Sequence, residues 1–164
     1  MSGGLRILNG GILALVQDLG RFGYQHLGLS TGGAADEHAY LWANRLLGNV
    51  SNAAAVEICF GGLQLEAECA TRIAITGADL QPTLNGESVS GWQTLELQRG
   101  DRLAFGYAKQ GIRAYLAVQG GFQIDPVFGS VSTVMREQIG GLDGRGGKLQ
   151  AGDLLPCAAA DTGR

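Results

Sequence analysis

Short apolar runs broken by glycine make up most of the chain. Leu5 to Leu8 and Gly11 to Val16 are strand-length segments flanking Asn9-Gly10. That dipeptide suits positive φ at both turn positions, so a hairpin is predicted at the start of the fold. Ala55 to Phe60, Leu63 to Ala67, Arg72 to Thr76, Trp92 to Leu97, Arg102 to Phe105 and Gly111 to Val118 have strand length too, and Leu84 runs into a second hairpin signal, Asn85-Gly86. In the last strand Ile112, Ala114, Leu116 and Val118 share one face, leaving Arg113, Tyr115 and Ala117 on the other. The period changes in one place. Ala39, Trp42, Ala43, Leu46 and Leu47 fall at helical spacing behind Asp36, a candidate N-cap, and stop at Gly48-Asn49, which predicts one main helix over about 36–47.

Between the opening strands and the helix, Gln17 to Gly33 has no persistent period but carries Asp18, Arg21, Gln25, His26 and Ser30, and it reads as a long functional loop. A weak internal echo links Leu97-Gln98-Arg99-Gly100-Asp101-Arg102-Leu103 to Leu149-Gln150-Ala151-Gly152-Asp153-Leu154-Leu155, each a Gly-Asp turn feeding a strand. Two copies are too few for a solenoid. Residues 158–164 are small or polar and are expected to form a flexible C-terminal tail, leaving 1–157 as a single lobe.

Composition sharpens this picture. Glycine supplies 28 of 164 residues, more than twice the roughly 7% of average proteins, without a collagen period. Many short strands joined by tight turns remain, as in a barrel or sandwich, so the fold class is mostly β. The net charge of −3 and scattered Lys and Arg exclude nucleic acid as the main partner. No run is long enough for a membrane helix and the opening residues lack a signal peptide's apolar block, so the expected compartment is the cytoplasm, with no membrane partner. Cys59, Cys69 and Cys157 are odd in number and not close in sequence, pointing to reduced thiols.

Three motifs fail their context tests. Gly28-Leu29-Ser30-Thr31-Gly32 matches the nucleophile elbow G-x-S-x-G, but that elbow needs alternating strands and helices. Gly140 to Lys148 resembles a phosphate cradle, yet Leu149 follows Lys148 where a P-loop needs Ser or Thr. His26 and His38 have no companion at ligand spacing, so a structural hydrogen-bonding role is expected and no metal site is assigned. The more informative charges are Asp18, Arg21, Glu57, Asp79 and Arg113. A charge within an apolar strand must be paired or face a pocket, so an ion pair of Glu57 with Arg113 stands beside a substrate-site reading.

Gln17-Asp18-Leu19-Gly20-Arg21-Phe22-Gly23-Tyr24-Gln25-His26-Leu27-Gly28, Gly32-Gly33-Ala34-Ala35-Asp36 and Ala43-Asn44-Arg45-Leu46-Leu47-Gly48-Asn49 resemble successive blocks of the biotin-dependent carboxyltransferase family. That family includes the carboxyltransferase part of urea amidolyase, allophanate hydrolase subunit 2 and the C component of bacterial 5-oxoprolinase. The similarity continues in order through Asn52 to Ile58, Thr76 to Asp79, Arg113 to Gly121, Gly129 to Thr133, Gly140 to Arg145 and Gly152-Asp153. Two local departures are Ala35, where a methionine is usual, and the longer turn at Gly146-Gly147.

The resemblance implies a cyclophilin-like β-barrel, here the first half of a two-lobe unit. It also implies ATP-dependent chemistry on small amides: opening of 5-oxoproline to glutamate with subunits A and B, or carboxyl transfer from carboxybiotin to urea. A 5-oxoprolinase-type subunit is the leading expectation. ATP would enter with the complex, carboxybiotin only in the urea amidolyase-like case, and this chain itself is assigned no cofactor. Expected partners are subunits A and B or a separately encoded second lobe, with self-association through an exposed apolar face. Asp18, Arg21, Glu57 and Arg113 are the candidate catalytic residues, and Gln17, Ser130 and Thr133 the candidate substrate-binding ones. The alternative function is a non-catalytic regulatory or protein-binding module, related to the antagonist of a sporulation kinase inhibitor. A prolyl isomerase activity is not inferred from barrel type.

Overall fold

Alternating burial along the strands places one apolar core between two antiparallel sheets. The computed structural model describes residues 2–108 and 110–159. The strands are β1 Ser2–Gly10, β2 Leu13–Gln17, β3 Ala55–Cys59, β4 Leu63–Ala67, β5 Thr71–Asp79, β6 Pro82–Leu84, β7 Glu87–Ser88, β8 Gln93–Leu97, β9 Arg102–Phe105, β10 Gln110–Val118 and β11 Leu154–Ala158. One sheet has the order β11-β1-β4-β9-β6-β7 and the other β2-β3-β10-β5-β8. Most successive strands change sheet, which wraps them around the shared core as a barrel does. Leu5, Ile7, Leu63, Leu65, Leu103 and Leu155 from the first sheet meet Val16, Val56, Ile58, Ile73, Leu116 and Val118 from the second. Burying each such side chain stabilises the fold by about 1.5–3 kcal/mol.

The seam beside β2 is closed by the long segment between β10 and β11. Thr133 and Leu149 donate their amides to the carbonyls of Val16 and Ala14 at 3.0 and 2.9 Å. This contact brings a distant loop onto the residues that open the Gln17–Gly33 stretch.

The expected opening hairpin does not form. β1 and β2 lie in different sheets, and Asn9 and Gly10 remain paired within β1, opposite Gln64 and Leu63. The turn falls one residue later, at Gly11, whose amide donates to Asn9 Oδ1 at 2.8 Å. The second signal works as read: Asn85 and Gly86 both have positive φ and join β6 to β7. The internal echo is structural. Gly100 donates to Ala67 and Asp101 accepts from it across β4, while Gly152 and Asp153 make the same pair of bonds with Ile7 of β1. Asp101 and Asp153 each accept the amide three residues upstream, from Gln98 and Gln150.

The α-helix α1, Glu37–Leu46, is capped by Asp36, whose carboxylate accepts the Ala39 amide at 3.1 Å. It ends at Gly48, φ 70°, a conformation other residues adopt at a cost. Its buried face is Ala39, Tyr40, Ala43 and Asn44, rotated from the face expected from Trp42, Leu46 and Leu47, which stay half-buried. The small alanines let the helix approach β5 and β10, so Tyr115 and Ala117 are buried on the second face of their strand. β11 runs to Ala158, one residue past the expected tail boundary, and residues 160–164 of that tail lie outside the described residues. No helix among the described residues is long and apolar enough to cross a membrane.

Candidate functional site

The seven expected site residues fall into two groups with different chemistry. Gln17, Asp18, Arg21, Ser130 and Thr133 come together where β2 ends, and all five are buried. Arg21, 1% exposed, donates from Nε to the Val127 carbonyl at 2.7 Å and from Nη2 to the carbonyls of Ser130 and Ser132, both at 3.0 Å. Asp18 accepts from the Ser130 hydroxyl at 2.6 Å, the Gly20 amide at 2.8 Å and the Val131 amide at 3.0 Å. Gln17 accepts from the Ser132 hydroxyl at 2.7 Å, and the Thr133 hydroxyl donates to the Val16 carbonyl at 2.8 Å. Burial pushes the Arg21 guanidinium down, and the nearby Asp18 and Glu137 carboxylates offset part of that effect. The cluster pins residues 127–133 onto the first loop. Gly140 is held here at φ 75°, because a side chain would strike the Ser132 carbonyl and come within 2.9 Å of Arg21 Nη2.

The same loop is tied down at its tip. Glu137 accepts from the Ser30 amide at 2.6 Å and the Ser30 hydroxyl at 2.5 Å, bonds that hold its carboxyl below the ordinary range. Ser30 is thus a structural donor on a loop and not a nucleophile on a strand-to-helix turn. A depressed carboxylate stabilises the fold above its unfolded value of about 4.3, and that contribution is lost as pH falls through the lower folded value. Amide exchange at Ser30 is therefore expected to lose protection as pH falls below the ordinary carboxylate range, and Glu137→Gln to weaken that pH dependence. The same pH dependence of Ser30 protection in wild type and Glu137→Gln would contradict the assignment.

Glu57 and Arg113 form the second group. The register pairs Glu57 with Tyr115 and Arg113 with Cys59 across β3 and β10, and no Glu57–Arg113 ion pair forms among the described residues. Glu57 Oε2 instead accepts from the Tyr115 hydroxyl at 2.6 Å and the Ala35 amide at 2.8 Å. The Asp36 amide donates to Tyr115 Oη at 2.8 Å. Burial raises the Tyr115 phenol well above its ordinary value and the bond to Glu57 raises it further, so it remains a donor. Burial likewise pushes the Cys59 thiol up, reinforced by Glu57 and opposed by Arg113.

Backbones held this way wall a cavity of about 230 Å³, lined by Ala35, Asp36, Ala78, Gly111, Ile112 and Arg113. Of the expected site residues, Arg113 stands on this wall, while the five buried around Arg21 do not reach it. The Arg113 Nε is buried beside the Cys59 thiol without a hydrogen-bond partner, as is Nη1 of Arg21, and no carboxylate pairs with Arg113 among the described residues. The register of β10 against β5 shifts between Gln110 and Ala114, and Gly77, φ 87°, permits the close approach there, since a side chain would lie 2.6 Å from the Arg113 carbonyl. A second cavity of about 290 Å³ adjoins through Ala78 and is bounded by Asp79 and Trp92, whose indole donates to the Gly77 carbonyl at 3.3 Å.

Tyr115, the Asp36 amide and Trp92 were not among the expected site residues. Tyr115 shares a strand face with Arg113, the signal that could have marked it, whereas its pairing with Glu57 depends on register. Asp79 is exposed and accepts the Gln81 amide at 2.9 Å. His26 and His38 are exposed and make no hydrogen bond among the described residues, contrary to the structural role expected; His38 lies against the Trp42 and Trp92 rings. No metal-binding group of three or more His, Cys, Asp or Glu occurs among the described residues. The glycine-rich turn is not an open cradle: Asp143 Oδ1 accepts the Arg145 and Gly147 amides, and the Gly144 and Gly146 amides go to Gly141 and Gly140.

The fold and sequence have known relatives. The C component of 5-oxoprolinase from Escherichia coli (strain K12) is 43% identical over 153 residues, covering 93% of this chain and 48% of the relative. Urea amidolyase of Saccharomyces cerevisiae is 37% identical over 141 residues, 85% of this chain and 8% of that protein. The crystal structure of the K. lactis urea amidolyase superimposes with a TM-score of 0.88 at 36% identity, over 92% of this chain and 9% of that one. The chain thus spans about half the length of the 5-oxoprolinase components it matches. Residues 27–164 match the family described as carboxyltransferase domain, subdomain A and B, and the chain belongs to that family.

Proposed function

We propose that this chain is one lobe of a 5-oxoprolinase C component, and that Arg113 binds the carboxylate of a small cyclic amide in the cavity beside Asp36. The Arg113 guanidinium, which lines this cavity and has no carboxylate partner among the described residues, carries this reading. A carboxylate suits the fork geometry of a guanidinium that has no anionic partner within the fold. Glu57 and Tyr115 act through the wall, fixing the Ala35 and Asp36 amides in place. Opening a lactam adds water across its C–N bond and leaves a carboxylate and an amine. Coupling to ATP is assigned to the other subunits, since the Gly141, Gly144, Arg145, Gly146 and Gly147 amides of the glycine-rich turn are already committed internally. A urea amidolyase-like role would instead bring carboxybiotin to this lobe.

Ile12, Phe60 and Tyr107 outside the strands and Ile112 of β10, which lines the cavity, expose large apolar side chains. Ile12 donates its amide to Gly61, Phe60 to Ile112, and Tyr107 bridges Gly61. Phe60 holds a φ of 67°, a strained conformation for a bulky residue. This face is the proposed seat of the second lobe. Co-purification with subunits A and B and a second lobe, followed by assay of ATP-dependent glutamate release from 5-oxoproline, tests the reading. Assembly with full activity only when this lobe is present supports it. Assembly that alters activity without requiring this lobe favours the regulatory alternative.

A further inference from the structure

Two thiols 88 positions apart in the chain are brought together by the fold. Cys69 lies in the turn between β4 and β5, and Cys157 lies inward on β11, with their Sγ atoms 4.0 Å apart. β1 runs between them. Gly3 of β1 pairs with Cys157 across β1 and β11, and a side chain at Gly3 would collide with Cys69, its Cβ falling 2.5 Å from Cys69 Cβ and 2.7 Å from Sγ. The missing side chain therefore opens the gap through which one thiol reaches the other. Cys59 stands apart, on β3 beside Arg113.

We propose that Cys69 and Cys157 form a reversible disulfide site, oxidised by exchange with a low-molecular-weight disulfide, that staples the C-terminal strand to the β4–β5 turn. The inference is independent of the substrate assignment. Half-exposed Cys69 is the entry point, while Cys157 is fully buried. The Cys69 thiolate attacks one sulfur of the small disulfide, breaks its S–S bond and releases one thiolate, leaving a mixed disulfide. Cys157, giving up its proton, then attacks the Cys69 sulfur and expels the second small thiol. Two protein thiols are oxidised by two electrons and the small disulfide is reduced to two thiols.

Burial makes the second step the slow one, and the proximity of the two sulfurs offsets it. The Cys157 thiol is pushed up to about 12, first by burial and then by the neighbouring Cys69, so half-exposed Cys69 is the thiol that reacts first. Closing 4.0 Å to a bonded S–S distance of about 2.0 Å requires rotation of two side chains at a site where one partner already borders solvent.

Reduced protein is equilibrated with oxidised glutathione, quenched by alkylation, and read by intact mass, peptide mapping and thermal melting. Wild type and Cys59→Ser are expected to carry two fewer alkyl groups than their reduced forms, to yield one peptide pair joining Cys69 to Cys157, and to melt about 5–15 °C higher than their reduced forms. Cys157→Ala is expected to stop at a stable glutathione adduct on Cys69, and Cys69→Ser to form neither adduct nor link. Because Cys157→Ala alters the core, the half-exposed Cys69→Ser provides the same answer if the former does not fold. A wild-type chain that stays a dithiol in fully oxidised glutathione, retains the adduct, or links Cys59 or a second chain overturns the proposal.

Discussion

Arg21→Ala is expected to cost the fold about 3–5 kcal/mol, a large share of the roughly 5–15 kcal/mol that stabilises a domain. Three carbonyls from Val127, Ser130 and Ser132 converge on this guanidinium, and alanine would leave them facing a void in a buried place. Lysine would restore the charge but not the planar fork that spans three acceptors, so Arg21→Lys should recover only part of the loss. Urea unfolding of the three chains reads the effect as a shift in midpoint. An Arg21→Ala midpoint within experimental scatter of wild type would mean that the cluster is not what holds residues 127–133 to the first loop.

Arg113→Ala is expected to behave in the opposite way. Its side chain is half-buried on a cavity wall and supports no carbonyl cluster, so stability should change by less than about 1 kcal/mol. Losing a charge-assisted contact to substrate, worth about 1.5–3 kcal/mol, should lower kcat/KM of the assembled complex about 10- to 150-fold. If Arg113 only binds the substrate carboxylate, the loss should appear mainly in KM. Arg113→Lys, with one point charge in place of a fork, should fall between the two.

The contrast between these two arginines is also where sequence reading reaches its limit. The strands are legible because their apolar residues alternate or run in short blocks, and α1 because Asp36 and Gly48 bracket a clear change of period. The Asn9-Gly10 signal misleads because a turn motif is local, whereas the choice of sheet for the next strand is decided by packing; β1 simply continues through both residues against β4. Arg21 sits in a glycine-rich loop and reads as an exposed functional charge. It is buried by residues more than a hundred positions away, which no local pattern reveals. Glu57 reads as a charge needing a partner, but its partners are an amide and the phenol of Tyr115, set by the register of β3 against β10. The approach of Cys69 to Cys157 depends in the same way on β1 lying between β4 and β11 with Gly3 at the crossing.

The separation of a buried scaffold from an open site is tested most directly by ATP-dependent turnover of 5-oxoproline in a complex assembled with Arg113→Ala. The account predicts normal assembly and melting, with kcat/KM lowered about 10- to 150-fold. Wild-type kcat/KM in a fully assembled Arg113→Ala complex would contradict it.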